Sequence, residues 1–523
     1  MPEQEPTKHK EHEIYTVLGA LPEPGGYGLA KFSRSARPYK DWVRELSQAG
    51  AERFYEAFYF KYGHASIADL THIALALETL SNVATVEVWD YPLLDGQESS
   101  TRYQDFQERG VHFPAELRGT RFEGPFRETT DRLIATYAEL HSALTEAMEA
   151  EHRSERPEGM SDAAYWRTIR ARAFDVARYL LPTGILTGMG IILNARTAEQ
   201  MIGDLLAHPL EEVREVGQEI KAAIKERPAF NLIQEKLEPL LDELLELSDG
   251  DDRTKQIIEE IQQVTYFDAP LAPTLVKYTE PNQYRRDTYA DLMSYATALL
   301  ADLGEPDGTR GVELFTALDL EDELLASILY KVNPYSYSFR QIINKLSQLS
   351  QRERDDLLKL VYKHRGQYDT PIRETASGYR LIYDLCLDNG SFRDLHRHRR
   401  CIQIIKDLGP TYGYDIPDAI EHYDLTAAYR TVMEATGELA VEIEQEHLLV
   451  SQFLLPLGFR RRVLFKMDFA ELAYIVENRT PAEGHFSYRE LSWGMYTAAQ
   501  EKYPRLTRHI RAVDPEQSAF FDR

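Results

Sequence analysis

Apolar residues return every three or four positions through most of the chain, in 66–88, 129–150, 162–181, 194–225, 320–331, 339–362, 419–450 and 468–478. That period lines one face of a helix, so the pattern predicts a largely helical protein. Strand-like runs are few and short: 14–18, 311–315 and 274–278. The Leu- and Glu-rich stretch 235–262 predicts an exposed amphipathic helix, and the acidic run 247–253 within it predicts a surface turn. A proline-bearing segment, 268–281, follows, and the domain boundary is expected at 265–275.

The two sides of that boundary look alike in outline. A short strand opens each, and a helix-rich stretch follows. Tyr62, His64 and Asp69 on one side recur as Tyr362, His364 and Asp369 on the other, 300 residues on. Identical spacing suggests a tandem duplication, with units 1–268 and 269–523.

Length and composition narrow the classes. A chain of 523 residues needs more than one domain, and 43% hydrophobic content is enough for packed cores. A net charge of −25 argues against a general nucleic-acid or anionic-membrane binder, because phosphate neutralisation needs a basic surface. No stretch approaches 18 uninterrupted apolar residues, so no membrane span is expected. The charged start MPEQEPTKHKEHE does not read as a secretory signal, and a cytoplasmic location is expected. Two cysteines cannot build a disulfide scaffold or a thiolate zinc site. Cys401 follows arginines that would lower its pKa, but no glycine-framed nucleophile motif surrounds it. GxGxxG and GxxxxGK[ST] do not occur.

Against this acidic background, 391–401 (SFRDLHRHRRC) is dense in cations: Arg393, His396, Arg397, His398, Arg399 and Arg400. Guanidinium groups grip phosphate or carboxylate bidentately, so a phosphate-bearing ligand is one expectation. A charged turn paired with acid elsewhere is the other. Metal ligation by His396 and His398 is disfavoured by the four arginines. Asn389-Gly390 just before the cluster reads as a helix stop. In 95–106 (DGQESSTRYQDF), Glu98, Ser100 and Arg102 alternate and share one face of an extended segment. Ser66 with Asp69 resembles a capping box. Arg178 ends a helix before Leu181-Pro182, Asn194-Ala195-Arg196 opens another, and Arg479 ends a third before His485.

Together these pieces resemble the flavin-dependent thymidylate synthases, or thymidylate synthase complementing proteins. That family carries Gly-His-x-Ser, then Arg-His-Arg followed by Glu-x-Ser-x-Arg, then Ala-Arg-x-x-Leu-Pro, Asn-x-Arg and a late helical Arg. The first half has Gly63-His64-Ala65-Ser66, Glu98-Ser99-Ser100-Thr101-Arg102, Ala177-Arg178 with Leu181-Pro182, and Asn194-Ala195-Arg196. It has Asp90-Tyr91-Pro92 in place of Arg-His-Arg, and Leu205 in place of the late Arg. The second half supplies those two, as Arg397-His398-Arg399 and Arg479. It lacks the others: Ile405 to Gly409 stand at Glu-x-Ser-x-Arg, Asp468-Phe469-Ala470 at Asn-x-Arg, and Gln452 at the arginine before Leu455-Pro456.

The losses are complementary, so the halves are expected to share one composite site. The resemblance implies an α/β (α+β), helix-rich fold, with a small antiparallel sheet and long helices in each of two tandem domains. It implies reductive methylation of dUMP to dTMP with FAD, NADPH and methylenetetrahydrofolate. Arg479 would act on the pyrimidine. Glu98, Ser100, Arg102, Arg178 and Arg397 would hold the nucleotide. His64, Ser66, Asn194, Arg196, Arg397, His398, Arg399 and His485 would hold the flavin. A homodimer would imitate the family tetramer. A related flavoenzyme acting on another uridine nucleotide, or an inactive nucleotide- or flavin-binding relative, remain the alternatives.

Overall fold

The computed structural model describes residues 15–522 except Leu18, Ala36, Gly63, 266–268 and Tyr368. Two compact units interleave along the chain. The smaller holds the chain up to Ala74, Ile192–Gln200 and Glu219–Thr279; the larger holds Leu75–Ile191, Met201–Gln218 and the chain from Glu280 onward.

Helices dominate, as the periodicity predicts, and two small sheets accompany them. The strands are β1 His72–Ser81, β2 Leu94–Glu98, β3 Leu186–Asn194, β4 Gly311–Phe315, β5 Leu381–Asp388, β6 Ile402–Ile405 and β7 Arg460–Met467. Their order is β1-β3-β2 in one sheet and β4-β5-β7-β6 in the other. In the second sheet every neighbour is antiparallel; Asp384, for example, pairs with Glu313 on one side and Leu464 on the other. Every residue of β5 is buried, which hides it from a period-two reading.

Three local expectations are corrected. The run 66–88 is not one helix: a 3₁₀ turn, Ala65–Leu70, leads into β1, and only Asn82–Trp89 is helical. Thr71 and Ile73 are buried and Leu75 and Leu77 half-buried, while the residues between them are exposed, a strand's period of two inside an apparently helical stretch. The run 274–278 is a turn, because the Glu23 carboxylate takes the N–H groups of Thr274 (2.7 Å) and Leu275 (2.8 Å) that a strand ladder needs. In 14–18, the described residues 15–17 form no strand; Ile14 and Leu18 lie outside the described residues. The acidic stretch behaves as predicted. Helices Leu232–Leu247 and Asp252–Thr265 bury only Leu241 between them, and a turn joins them at Asp249 and Gly250, both at positive φ.

Along the chain the two halves repeat one succession of elements. A strand (β1, β5) meets a short helix (Asn82–Trp89, Asn389–Leu395), then a second strand (β2, β6), then a long helix (Glu123–His152, Thr426–Glu446). A 3₁₀ turn (Arg178–Leu180, Val450–Phe453) then leads through Leu-Pro to a third strand (β3, β7) and another helix (Ala195–Leu206, Phe469–Arg479). The two Leu-Pro segments cross antiparallel, with Pro182 opposite Pro456. Four backbone bonds close the crossing in matched pairs. Thr183 N–H donates to Leu455 O (3.0 Å) as Leu457 N–H does to Leu181 O (2.9 Å). Gly184 N–H donates to Phe453 O (2.8 Å) as Gly458 N–H does to Tyr179 O (2.9 Å). Both glycines are required by proximity: a Cβ on Gly184 would lie 2.6 Å from Phe453 O, and one on Gly458 2.9 Å from the Tyr429 hydroxyl.

Gly184→Ala is therefore expected to cost about 1–3 kcal/mol, the usual range for forcing carbon into a packed site. Denaturant unfolding measures it, and an unchanged midpoint would contradict the tight crossing.

Candidate functional site

The crossing presents one helix end to another. Leu457 O also accepts from Gly390 N–H (3.0 Å), at the start of helix Asn389–Leu395. Asp388 caps that helix by accepting from Ser391 N–H at 2.7 Å. Asn389-Gly390 thus opens a helix rather than stopping one: the Asp388 cap outweighs the glycine.

Arg178, 2% exposed, reaches this helix from the other half. Its Nη1 lies 3.4 Å from Thr101 Oγ1 and 3.5 Å from Asp394 Oδ2, while its Nε and Nη2 are buried with no hydrogen-bond partner among the described residues. A Cβ on Gly390 would stand 3.1 Å from Asp388 Oδ1 and 3.4 Å from Arg178 Nη2, so the guanidinium lies against the start of this helix. Ser391 Oγ, Arg393 Nε and Arg397 Nε are likewise buried and unpartnered. Burial alone would raise the Asp394 carboxyl, but Arg178, Arg397, Arg102 and Arg479 outweigh it and hold the group below its usual range. Those four arginines come from both halves of the chain and share one acid.

β2 ends at Glu98 and the chain turns, so Glu98, Ser100 and Arg102 do not lie on one extended face. Glu98 Oε1 accepts from Arg393 Nη2 (2.5 Å), Asn82 Nδ2 (3.1 Å) and Thr85 Oγ1 (3.2 Å). Ser100 is half-buried, and its Oγ accepts from Arg102 N–H at 3.3 Å. Arg102 is buried and forks onto Asp175, Nε–Oδ1 2.7 Å and Nη2–Oδ2 3.1 Å; its Nη1 donates to the Tyr488 hydroxyl at 3.1 Å. Burial opposes this charge, but Asp175 outweighs it and raises the guanidinium above its ordinary range.

The Arg-His-Arg triplet is divided among several tasks. Arg397, half-buried, donates to Gln97 Oε1 at 3.4 Å and acts on the Asp394 carboxylate. Arg399 pairs with Asp95 at 2.5 Å. His398 is buried, and its Nε2 accepts from Arg479 Nε at 2.8 Å. Its proton therefore sits on Nδ1, which faces Glu471 Oε1 at 3.7 Å. Burial first, then Arg479, lowers the His398 pKa against the pull of Glu471. His485 is buried with both ring nitrogens engaged: Nδ1 accepts from Ser487 N–H (3.2 Å), and Nε2 donates to Asp175 O (2.8 Å).

In the smaller unit, Arg196 Nε pairs with Asp69 Oδ1 at 2.9 Å. Asn194 Oδ1 caps its helix by accepting from Thr197 N–H at 2.8 Å. His64 and Ser66 are exposed, and Gly63 lies outside the described residues. No side chain caps the turn Ala65–Leu70, and Asp69 goes to Arg196, so the expected capping box is absent. Burial raises the Cys401 thiol to about 12, which overrides the neighbouring arginines and removes it as a nucleophile.

The positions where the resemblance expects motif residues that the sequence lacks make contacts of their own. Asp90 pairs with Arg373, and the Tyr91 hydroxyl donates to Asp204 Oδ2 at 3.1 Å. Asp204 holds Arg285 at 2.5 Å. Gln452 Oε1 accepts from Leu408 N–H at 3.2 Å. Sequence reasoning missed Asp175, Asp394, Ser391, Tyr488 and Glu471. Two signals were available: Asp175 stands one turn before Arg178, and Asp394 is the lone acid of the cationic run.

Comparison with known proteins agrees with the motifs. Residues 28–228 match the family model described as thymidylate synthase complementing protein, so the resemblance holds over that part of the chain. A UPF0159 protein of Thermoplasma acidophilum is 23% identical over 518 residues, covering 93% of this chain and 94% of its own. A UPF0159 protein of Chlamydia muridarum is 26% identical over 490 residues, covering 90% and 82%. The solved flavin-dependent thymidylate synthase ThyX of Helicobacter pylori, complexed with FAD and dUMP, is 13% identical; the match covers 39% of this chain and 89% of that one, with a TM-score of 0.23. No helix among the described residues is long and apolar enough to cross a membrane.

Two stability effects follow. Arg102→Ala strands the buried Asp175 charge and is expected to cost about 3–5 kcal/mol in denaturant unfolding; a loss below about 1 kcal/mol would contradict the buried pair. His398, His396, His208 and His141 are all lowered, chiefly by burial. The folded chain keeps them neutral, whereas the unfolded chain protonates them near about 6.5. Their stabilisation is complete above that value and is lost as pH falls through the depressed folded values. The thermal midpoint should drop between about pH 7.5 and pH 5.5, and His398→Gln should flatten the slope. A midpoint that rises on acidification would contradict this.

Proposed function

We propose that the chain is a flavin-dependent, thymidylate-synthase-like enzyme whose one composite site is built by both halves of a duplicated chain. The overall reaction converts dUMP, methylenetetrahydrofolate, NADPH and a proton to dTMP, tetrahydrofolate and NADP⁺, with FAD supplying the hydride relay. The observation that carries this reading is Arg178: a buried guanidinium with two unpartnered atoms, aimed at the helix that bears the other half's cations. Buried polar atoms are almost always paired, so such an orphan calls for an anion. The family match over 28–228, the repeated succession of elements and the complementary motif losses support the same reading.

In this account Arg178, Arg397 and the Ser391 hydroxyl hold phosphate by charge-assisted bonds. Asp394 keeps the arginines from repelling one another in the free protein. Arg479 faces the pyrimidine and stabilises negative charge on the ring. His398, kept neutral, accepts from Arg479 Nε and fixes the plane of that guanidinium. Asp175 aligns Arg102 from behind. A chain dimer would restore the four-domain assembly that the resemblance implies.

A second reading has its own observation. Glu98 and Arg102, two members of the retained motif, are already saturated by Arg393 and Asp175. That favours a relative that binds nucleotide or flavin without turnover.

The test is to load purified chain with FAD, desalt it and record the visible spectrum with and without dUMP. Retained flavin whose bands move with dUMP supports a composite pocket, and dTMP formation then separates enzyme from silent binder. Arg178→Ala should weaken dUMP about 10- to 100-fold, the value of one or two charged hydrogen bonds. Arg479→Ala should lower kcat by about 10²- to 10³-fold with little change in dUMP affinity. No retained flavin and no dUMP binding would overturn both readings.

A further inference from the structure

The helical hairpin Leu232–Leu247 and Asp252–Thr265 lies in the smaller unit. Its first helix carries Ile233, Leu237, Leu240, Leu244 and Leu247, alternately four and three residues apart. That is the spacing of a coiled-coil seam, and on a helix the five side chains form one continuous stripe. Leu237 is half-buried, and the other four are 41–79% exposed. The covered side of the helix is a different one, marked by the buried Leu241 and, one turn on, the half-buried Leu245.

Single exposed leucines are ordinary, but an unbroken apolar row marks a surface that another molecule covers. The helix receives little from its own chain. Packing of an apolar face supplies most helix stability in proteins, and here only Leu241 is buried. Pro239 also removes one backbone donor from its interior. Its start is nevertheless fixed, because Asn231 Oδ1 accepts from Ile233 N–H (3.0 Å) and Gln234 N–H (3.2 Å). The stripe is thus presented in helical form.

Charge selects the occupant. Glu235, Glu238, Asp242, Glu243 and Glu246 share the helix with a single base, Lys236, and the turn that follows adds Asp249 and Asp251. A second copy of the hairpin would bring like carboxylates together, which opposes association. An anionic membrane is disfavoured on the same ground, since helices that lie on one carry Lys and Arg on the polar face. What fits is a helix with the same apolar spacing and basic flanks.

We propose that this stripe is a docking site for a basic amphipathic helix of a partner protein. The partner lays its apolar residues along Ile233 to Leu247 and sets its Lys or Arg side chains against the flanking carboxylates. The site is independent of the reading proposed for Arg178.

The test uses the full chain and a fluorescent peptide of about three heptads, with Leu at the seam positions and Lys at the flanking ones. Polarisation should show saturable binding at one site per chain that weakens as salt rises. A matched peptide with Glu in place of Lys should bind at least about tenfold more weakly. Replacing Leu240→Ser and Leu244→Ser together should abolish binding of the Lys peptide and leave the circular dichroism unchanged. If that double change melts the hairpin, Glu243→Lys with Glu246→Lys takes its place; it keeps the apolar row and should narrow the preference for the Lys peptide. The proposal is overturned by no binding of the Lys peptide at submillimolar concentration. Equal binding of the two peptides, or binding that survives both pairs of substitutions, would overturn it equally. So would a chain dimer that dissociates when Leu240 and Leu244 are replaced, because a second copy would then cover the stripe.

Discussion

The antiparallel crossing of the two Leu-Pro segments is the constraint on which the larger unit depends. Backbone groups removed from water must find partners. Here those of one half find them in the other: Leu181, Thr183 and Gly184 against Leu455, Leu457 and Phe453. The same carbonyls hold what lies next to them. Leu457 O takes Gly390 N–H, and Thr183 O takes Val83 N–H at 3.2 Å. Each half thus seats the start of its own short helix on the segment that crosses the other half. Neither could complete its backbone pairing alone, and Arg178 reaches Asp394 because of it.

Electrostatics then separates the two sides of the crossing. On one side Arg178, Arg397, Arg102 and Arg479 all act on Asp394, Arg102 is held by Asp175, and Arg178 Nε and Nη2 and Arg397 Nε have no hydrogen-bond partner among the described residues. On the other, acid and base are matched, as Asp90 with Arg373 and Asp204 with Arg285, and Gln452 stands where Arg178 stands in the first half. A buried guanidinium with unpartnered donor atoms is costly to keep, and Arg178, paired only at Nη1, is the group on which the proposed anion site rests.

Most of the fold class was legible in the sequence. Helical periodicity located the long helices, and the motif pieces singled out Arg178, Arg397 and Arg479, whose charges all act on Asp394. The strands were harder. β5 is buried on both faces and shows no alternation, while β1 hides a period of two inside a helical-looking run. Side-chain engagement was not legible at all. Nothing local says that Arg102 is taken by Asp175, 73 residues on, or that His398 is turned inward by Arg479 and Glu471. Those pairings depend on burial, which a one-dimensional pattern does not carry.

A crystal structure of the chain soaked with FAD and dUMP tests the central claim most directly. The account predicts one nucleotide per chain, its phosphate within hydrogen-bonding distance of Arg178 and Arg397, and none beside Asp90 and Gln452. A phosphate bound on the Gln452 side, or nucleotide density that leaves Arg178 untouched, would contradict it.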